Sequence, residues 1–201
     1  MIDQGLAGAI VAVTFLVCTF LLASVPTGLV VTALWTNLDI RSAGSGNPGA
    51  TNVYRLAGRT MGIVTLVGDV LKGLVPAILS HWVIGGSWGV SATILVAFLG
   101  HCYSPYLSFR GGKGVATGVG GFLAAAPLAS LIAVGAWVGV VAWTRKSSLA
   151  ALVALGVLLA TLALLPPARA YVPVAAVVAV LMLWRHRDNI RRLLAGTEGR
   201  L

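Results

Sequence analysis

The sequence predicts an all-α membrane protein with seven transmembrane helices, one of them short, joined on one side by glycine-rich loops. Three observations carry this. Of 201 residues, 58% are hydrophobic and 9% are charged, whereas a soluble domain carries about 25% charged residues. Mean hydropathy is +0.96. The apolar residues fall into blocks parted by short polar connectors, and the basic residues collect on alternate connectors. At this length a single domain over residues 1–201 is the default.

A net charge of +9 could point to nucleic acid. With so few charges in total, it reads instead as loop charge that orients the spans, and no nucleic acid is expected as a partner. Cys18 and Cys102 form no CxxC pair and lie in apolar runs, so they read as small buried hydrophobes. No metal site is expected.

The first span covers about residues 6–34. The stretch before it has an acid and no Lys or Arg, unlike the positive start of a secretory signal, so a retained span is expected. Its second half contains Ser24, Pro26, Thr27 and Gly28. Pro26 removes a backbone donor and kinks the helix, and nearby hydroxyls can satisfy the freed carbonyls. The kink is either plainly structural or opens a pocket under the next loop.

That loop, residues 39–55, reads DIRSAGSGNPGATNVYR. It is too polar for hydrocarbon. Gly44, Gly46 and Gly49 allow several backbone N–H groups to converge as an anion nest, with Arg41 and Arg55 at its flanks. A second span, about 57–84, is interrupted by Asp69 and Lys72, three apart and so on one helix face. Ionisable groups in a membrane helix are functional candidates by default; they could also neutralise each other as a structural pair. Gly68, Gly73 and Pro76 suggest a helix that is broken or closely packed there.

The third span, about 88–107, ends near His101, which alone reads as a hydrogen-bonded core residue. Residues 109–114, FRGGKG, form a second glycine-rich basic loop. The run 115–126 that follows would cover roughly 18 Å as a helix, short of the roughly 30 Å hydrocarbon core. Its N-terminus would face the Gly-Gly-Lys loop, an arrangement that suits an anion. Spans at 127–144, 148–165 and 168–184 complete the set. The tail from Arg185, RHRDNIRRLLAGTEGRL, reads as a short interfacial helix stopped at Gly196.

Seven crossings would place Arg41, Arg55, Arg59, Arg110, Lys113, Arg145, Lys146 and the five arginines of the tail on one side, leaving Arg169 opposite. The positive-inside rule then puts the glycine-rich loops and C-terminus in the cytoplasm, the N-terminus outside, and the protein in a bacterial inner membrane. Neither loop fits a Walker A pattern. Ser24, Ser45 and Ser148 are possible nucleophiles, yet no Ser-His-Asp order can be argued. Charge neutralisation and alignment alone would suffice if the donor is already activated, as an acyl phosphate is.

These motifs resemble the bacterial membrane glycerol-3-phosphate acyltransferases that use acyl-phosphate. The likeness covers nearly the whole chain. One motif is similar at Ser45-Gly46-Asn47-Pro48-Gly49-Ala50-Thr51-Asn52 with Arg55, a second at Gly68-Asp69-Val70-Leu71-Lys72-Gly73 with Pro76. A third is similar at His101 and Pro105 followed by Gly111-Gly112-Lys113-Gly114-Val115-Ala116-Thr117, and the tail at His186-Arg187, Asn189-Ile190 and Gly196. Ala23 stands where the family pattern has glycine, a packing change.

The resemblance implies acyl transfer from acyl-phosphate to the 1-hydroxyl of sn-glycerol 3-phosphate, giving lysophosphatidic acid and phosphate, the first acylation of phospholipid synthesis. It implies no cofactor, and the chain is expected to act as a monomer in the lipid bilayer. Ser45, Arg55, Lys113, His186 and Asn189 would be catalytic. Gly46, Asn47, Gly49, Thr51, Asn52, Asp69, Lys72, Gly111, Gly112, Gly114 and Ser148 would bind substrate or its phosphates, with Asp69 holding Lys72. A transporter of organic phosphates or a lipid-binding scaffold are the rival readings. The former calls for two similar halves and a midplane site, and no repeat is seen.

Overall fold

The computed structural model describes residues 4–36 and 38–201; residues 1–3, which bear on the N-terminal reading, and Asn37 lie outside the described residues. The first apolar block is two helices, not one kinked helix: α1 (Gln4–Ser24) and α2 (Thr27–Trp35). Pro26 has no N–H to continue α1 and sits at φ −81°, ψ 80°. The Ser24 hydroxyl turns back to donate to the Phe20 carbonyl at 2.7 Å. Helix α3 (Ala50–Ala57) takes over the last third of the stretch read as loop, so the loop proper ends at Gly49.

The helices that follow are α4 (Arg59–Val83), α5 (Gly86–Cys102), the short α6 (Val115–Ala125), α7 (Pro127–Thr144), α8 (Ser147–Leu164), α9 (Val172–Arg185) and α10 (Arg187–Leu194). Residues 168–171, read as the start of the last span, belong with the Pro166-Pro167 connector to a tighter 3₁₀ turn, Pro166–Tyr171, before α9. Pro173 has no N–H to bond the Arg169 carbonyl, so α9 cannot run α-helically back through residues 168–171. Helix α10 and the stop at Gly196, with φ +72°, agree with the sequence reading.

Among the described residues, six segments are long and apolar enough to cross a membrane, and α6 is a shorter apolar helix beside them. The protein is an integral, multi-pass membrane protein of all-α class. Leu6, Ile10, Val13, Leu128 and Leu131 on α1 and α7 point outward, as lipid-facing residues do. Cys18 is on that outer face rather than buried; Cys102 is buried.

Helix α4 runs unbroken through Pro76, so its small residues serve close packing. A Cβ on Gly73 would lie 2.0 Å from the Thr117 carbonyl oxygen, and one on Gly120 would lie 2.0 Å from that of Val70. The backbones of α4 and α6 therefore touch, the approach that small residues permit between membrane helices. Beyond α6, Phe122, Ile94, Phe98, Leu162 and Val178 fill the core shared by α5, α6, α8 and α9.

Gly120→Ala must push α6 away from a rigid backbone and should cost about 1–3 kcal/mol, lowering the unfolding midpoint in detergent. Gly135 faces open space, so Gly135→Ala should leave the midpoint unchanged or raise it. Equal behaviour of the two variants would contradict this packing.

Candidate active site

The first glycine-rich loop is organised from inside by Asn52, which is 1% exposed. Its amide nitrogen donates to the carbonyls of Ile40 (3.0 Å) and Ala43 (3.3 Å), and its oxygen accepts from the Ser45 N–H at 2.9 Å. Gly46 N–H bonds Ala43 O, Asn47 N–H reaches Ser45 Oγ, and Gly49 N–H bonds Asn47 Oδ1. These donors already have partners. The convergent nest expected from the glycines is thus not the arrangement adopted; Gly44 (φ +61°) and Gly46 (φ +65°) provide the left-handed turns. Arg41 does not flank a nest either: it chelates Asp39, and its side-chain hydrogen bonds hold that carboxyl at about 2. Thr51 reaches the Ser147 hydroxyl at 3.0 Å and ties α3 to α8.

The second loop is likewise closed on itself. Gly111 and Gly112 donate to the carbonyls of Cys102 (3.1 Å) and His101 (3.0 Å). From the opposite side, Arg185 donates to Gly111 O at 2.6 Å and Gly112 O at 3.0 Å, with its guanidinium over the Tyr103 ring. Gly114, at φ +77°, backs onto the Phe98 ring and starts α6. What the loop offers a ligand is the ammonium of Lys113 and the guanidinium of Arg110.

The two loops and the tail enclose a cavity of about 240 Å³. Ser45, Gly46 and Asn47 line it from the first loop, Gly111 and Lys113 from the second, and Asn189 from α10. Arg110, Arg185, Arg187 and Arg192 add to Lys113, against the single carboxylate of Asp188. Five cations around one small volume are an anion site by charge alone.

Behind its wall runs a hydrogen-bonded chain. Lys113 Nζ donates to Asn189 Oδ1, and Asn189 Nδ2 donates to Glu198 Oε1 at 2.6 Å. Ser148 Oγ donates to the same carboxylate oxygen at 2.6 Å, and Arg192 Nε to the other at 2.7 Å. Burial alone would raise the Glu198 carboxyl, but these donors outweigh it and hold it below the usual range. Burial lowers the Lys113 ammonium to about 8, opposed by Glu198. His186 is 2% exposed, pressed to about 4 by burial and then by Lys113, and hence neutral at pH 7. Its Nδ1 must carry the proton, because its partner at 2.9 Å is the Met182 carbonyl.

Several expected site residues do not reach the cavity. Gly49, Thr51, Asn52, Gly112, Gly114, Ser148 and His186 lie behind its walls. Arg55 donates to the tail carbonyls of Gly199 (2.9 Å) and Arg200 (3.0 Å) and clamps the C-terminal strand of chain. Asp69 and Lys72 form a buried pair at 2.8 Å beneath the site. Sequence reasoning missed Arg185, Arg192 and Glu198. The last had a signal, being the chain's single glutamate in a basic tail.

A family model described as glycerol-3-phosphate acyltransferase matches residues 13–196. The chain belongs to that family. Among curated glycerol-3-phosphate acyltransferases it is 48% identical to that of Geobacter metallireducens, over 95% of this chain and 98% of the relative. It is 46% identical to that of Geobacter sulfurreducens, over 90% and 93%. Two crystal structures of PlsY (YgiH), an integral membrane glycerol 3-phosphate acyltransferase, superpose at 37% identity, covering 94% of this chain and 95% of theirs. The glycerol 3-phosphate form gives a TM-score of 0.90 and the lysophosphatidic acid form 0.88.

Asn52→Leu would strip Ser45 N–H and the buried Ile40 carbonyl of their Asn52 partner, at about 1–3 kcal/mol for a buried group left unpaired. Limited trypsin digestion should then cut after Arg41 much faster than in the wild type while the spans stay intact. Unchanged cleavage would contradict the role given to Asn52.

Proposed function

We propose that this protein transfers an acyl group from acyl-phosphate to the 1-hydroxyl of sn-glycerol 3-phosphate, releasing phosphate and lysophosphatidic acid. The observation that carries the proposal is the cavity's charge: five cationic side chains around Ser45, Gly46 and Asn47, with one carboxylate among them. Each phosphate group brings a charge of roughly −1.5 to −2 at neutral pH, so two phosphate-bearing substrates match the excess. The hydroxyl oxygen bonds to the acyl carbon, the bond from that carbon to the phosphate oxygen breaks, and the hydroxyl proton leaves with phosphate. Lys113 and the arginines neutralise the oxyanion and the departing phosphate, and Ser45 and Asn189 orient the reacting groups. No metal or cofactor enters this scheme. The cavity faces the cytoplasm of a bacterial inner membrane, with the N-terminus outside, and one chain suffices.

Purified protein given acyl-phosphate and glycerol 3-phosphate should release phosphate and form an ester, and acyl-CoA should not replace the donor. Lys113→Ala should lower kcat by about 10²–10³-fold, the usual loss for a removed oxyanion donor. A near-normal rate, or uptake into vesicles without ester, would overturn the assignment in favour of an inert charge or a transporter.

The lowered Lys113 adds a pH signature. Its charged form declines as pH rises through about 8, so kcat/KM should fall on that alkaline limb. Lys113→Arg, always charged, should lose the limb whatever its absolute rate. A flat wild-type profile to pH 9 would contradict the role of the ammonium.

A further inference from the structure

Beneath the charged cavity lies a buried polar cluster that the acyl transfer does not call upon. Asp69 is 3% exposed and Lys72 7%. Lys72 Nζ donates to Asp69 Oδ1 at 2.8 Å and to the Val25 carbonyl, at the break between α1 and α2, at 3.0 Å. The Thr117 hydroxyl, at the start of α6, donates to the Asp69 carbonyl at 2.9 Å. A hydroxyl has one proton, so at its 3.0 Å contact with His101 Nδ1 it must accept. His101 therefore donates from a protonated Nδ1.

This ring stands directly under the second loop. A Cβ on Gly112 would lie 2.1 Å from His101 Nε2. The carbonyls of His101 and Cys102 take the Gly112 and Gly111 N–H groups. Ser104, just past α5, donates to the Ser24 carbonyl at 2.6 Å and fixes the same end of α5 to α1. Pro48 of the first loop and Gly112 of the second both line a cavity of about 10 Å³, room for about one water, with Asp69, Lys72 and His101. Both loops thus rest on one cluster, and neither Asp69 nor Lys72 lines the larger cavity.

We propose that Asp69, Lys72, His101 and Thr117 are positioning residues that hold the Gly111–Gly112–Lys113 bend in register with the first loop, without touching substrate. This rests on the acyl-transfer reading for what the bend is positioned to do. It replaces the expectation that Lys72 joins the substrate-binding set.

Thr117→Val keeps the shape of the side chain and removes its hydroxyl; Thr117→Ser restores the hydroxyl. Two readouts are compared in detergent: amide hydrogen exchange at Gly111 and Gly112, and steady-state kinetics with acyl-phosphate and glycerol 3-phosphate. In the Val variant exchange should rise about tenfold or more and kcat should drop by up to roughly 10²-fold, the scale of an ångström's misplacement. Its KM should stay within about twofold, and the Ser variant should behave as wild type. Unchanged exchange, a rise in KM alone, or equal damage from Ser and Val would each overturn the proposal. If the loop loosens in the Val variant while even the wild type forms no ester, the positioning stands and the acyl-transfer reading falls.

Discussion

Gly73 and Gly120 let α4 and α6 approach until backbone meets backbone, and the placement of the polar groups follows from that contact. It brings Thr117, on the first turn of α6, within reach of the Asp69 carbonyl and the His101 ring. It also fixes where α6 begins, and hence where Gly114 must turn and where Lys113 projects.

Above that base, the site is assembled from three segments distant in sequence and is held mostly by side chains. Asn52 closes the first loop, Arg185 pins the carbonyls of the second, and Glu198 ties Ser148, Asn189 and Arg192 into one unit. With the amides of Ser45, Gly46, Asn47, Gly49, Gly111 and Gly112 occupied, most of the positive potential facing a ligand comes from ammonium and guanidinium groups. Such a site favours chemistry in which the donor is already activated and the protein aligns and neutralises, in keeping with membership of an acyltransferase family.

The spans, the short seventh helix and the amphipathic tail were legible because each is set by local hydropathy and by glycine or proline at its ends. The motif residues were legible too, but their geometry was not. Glycines 44 and 46 advertise turns without saying whether the amides near them face a ligand or Asn52, since that depends on a side chain several residues on. Asp69 and Lys72 read by default as functional candidates, with a structural pair as the alternative, and only the Val25 carbonyl and Thr117 decide where they point. Glu198 meets Ser148 across fifty positions of sequence, beyond the reach of any periodicity. The break at Pro26 was visible as a kink, but full interruption depended on the Ser24 and Lys72 bonds that stabilise the freed end.

The central claim is that the cavity bounded by Ser45, Lys113 and Asn189 holds both phosphate groups at once. A structure determined with glycerol 3-phosphate and a non-hydrolysable acyl phosphonate tests it most directly. Two phosphorus positions inside that cavity, each in hydrogen-bond contact with Lys113 or a lining arginine, are the expected result. A phosphorus atom lying outside the cavity, between the spans near the middle of the bilayer, would contradict it.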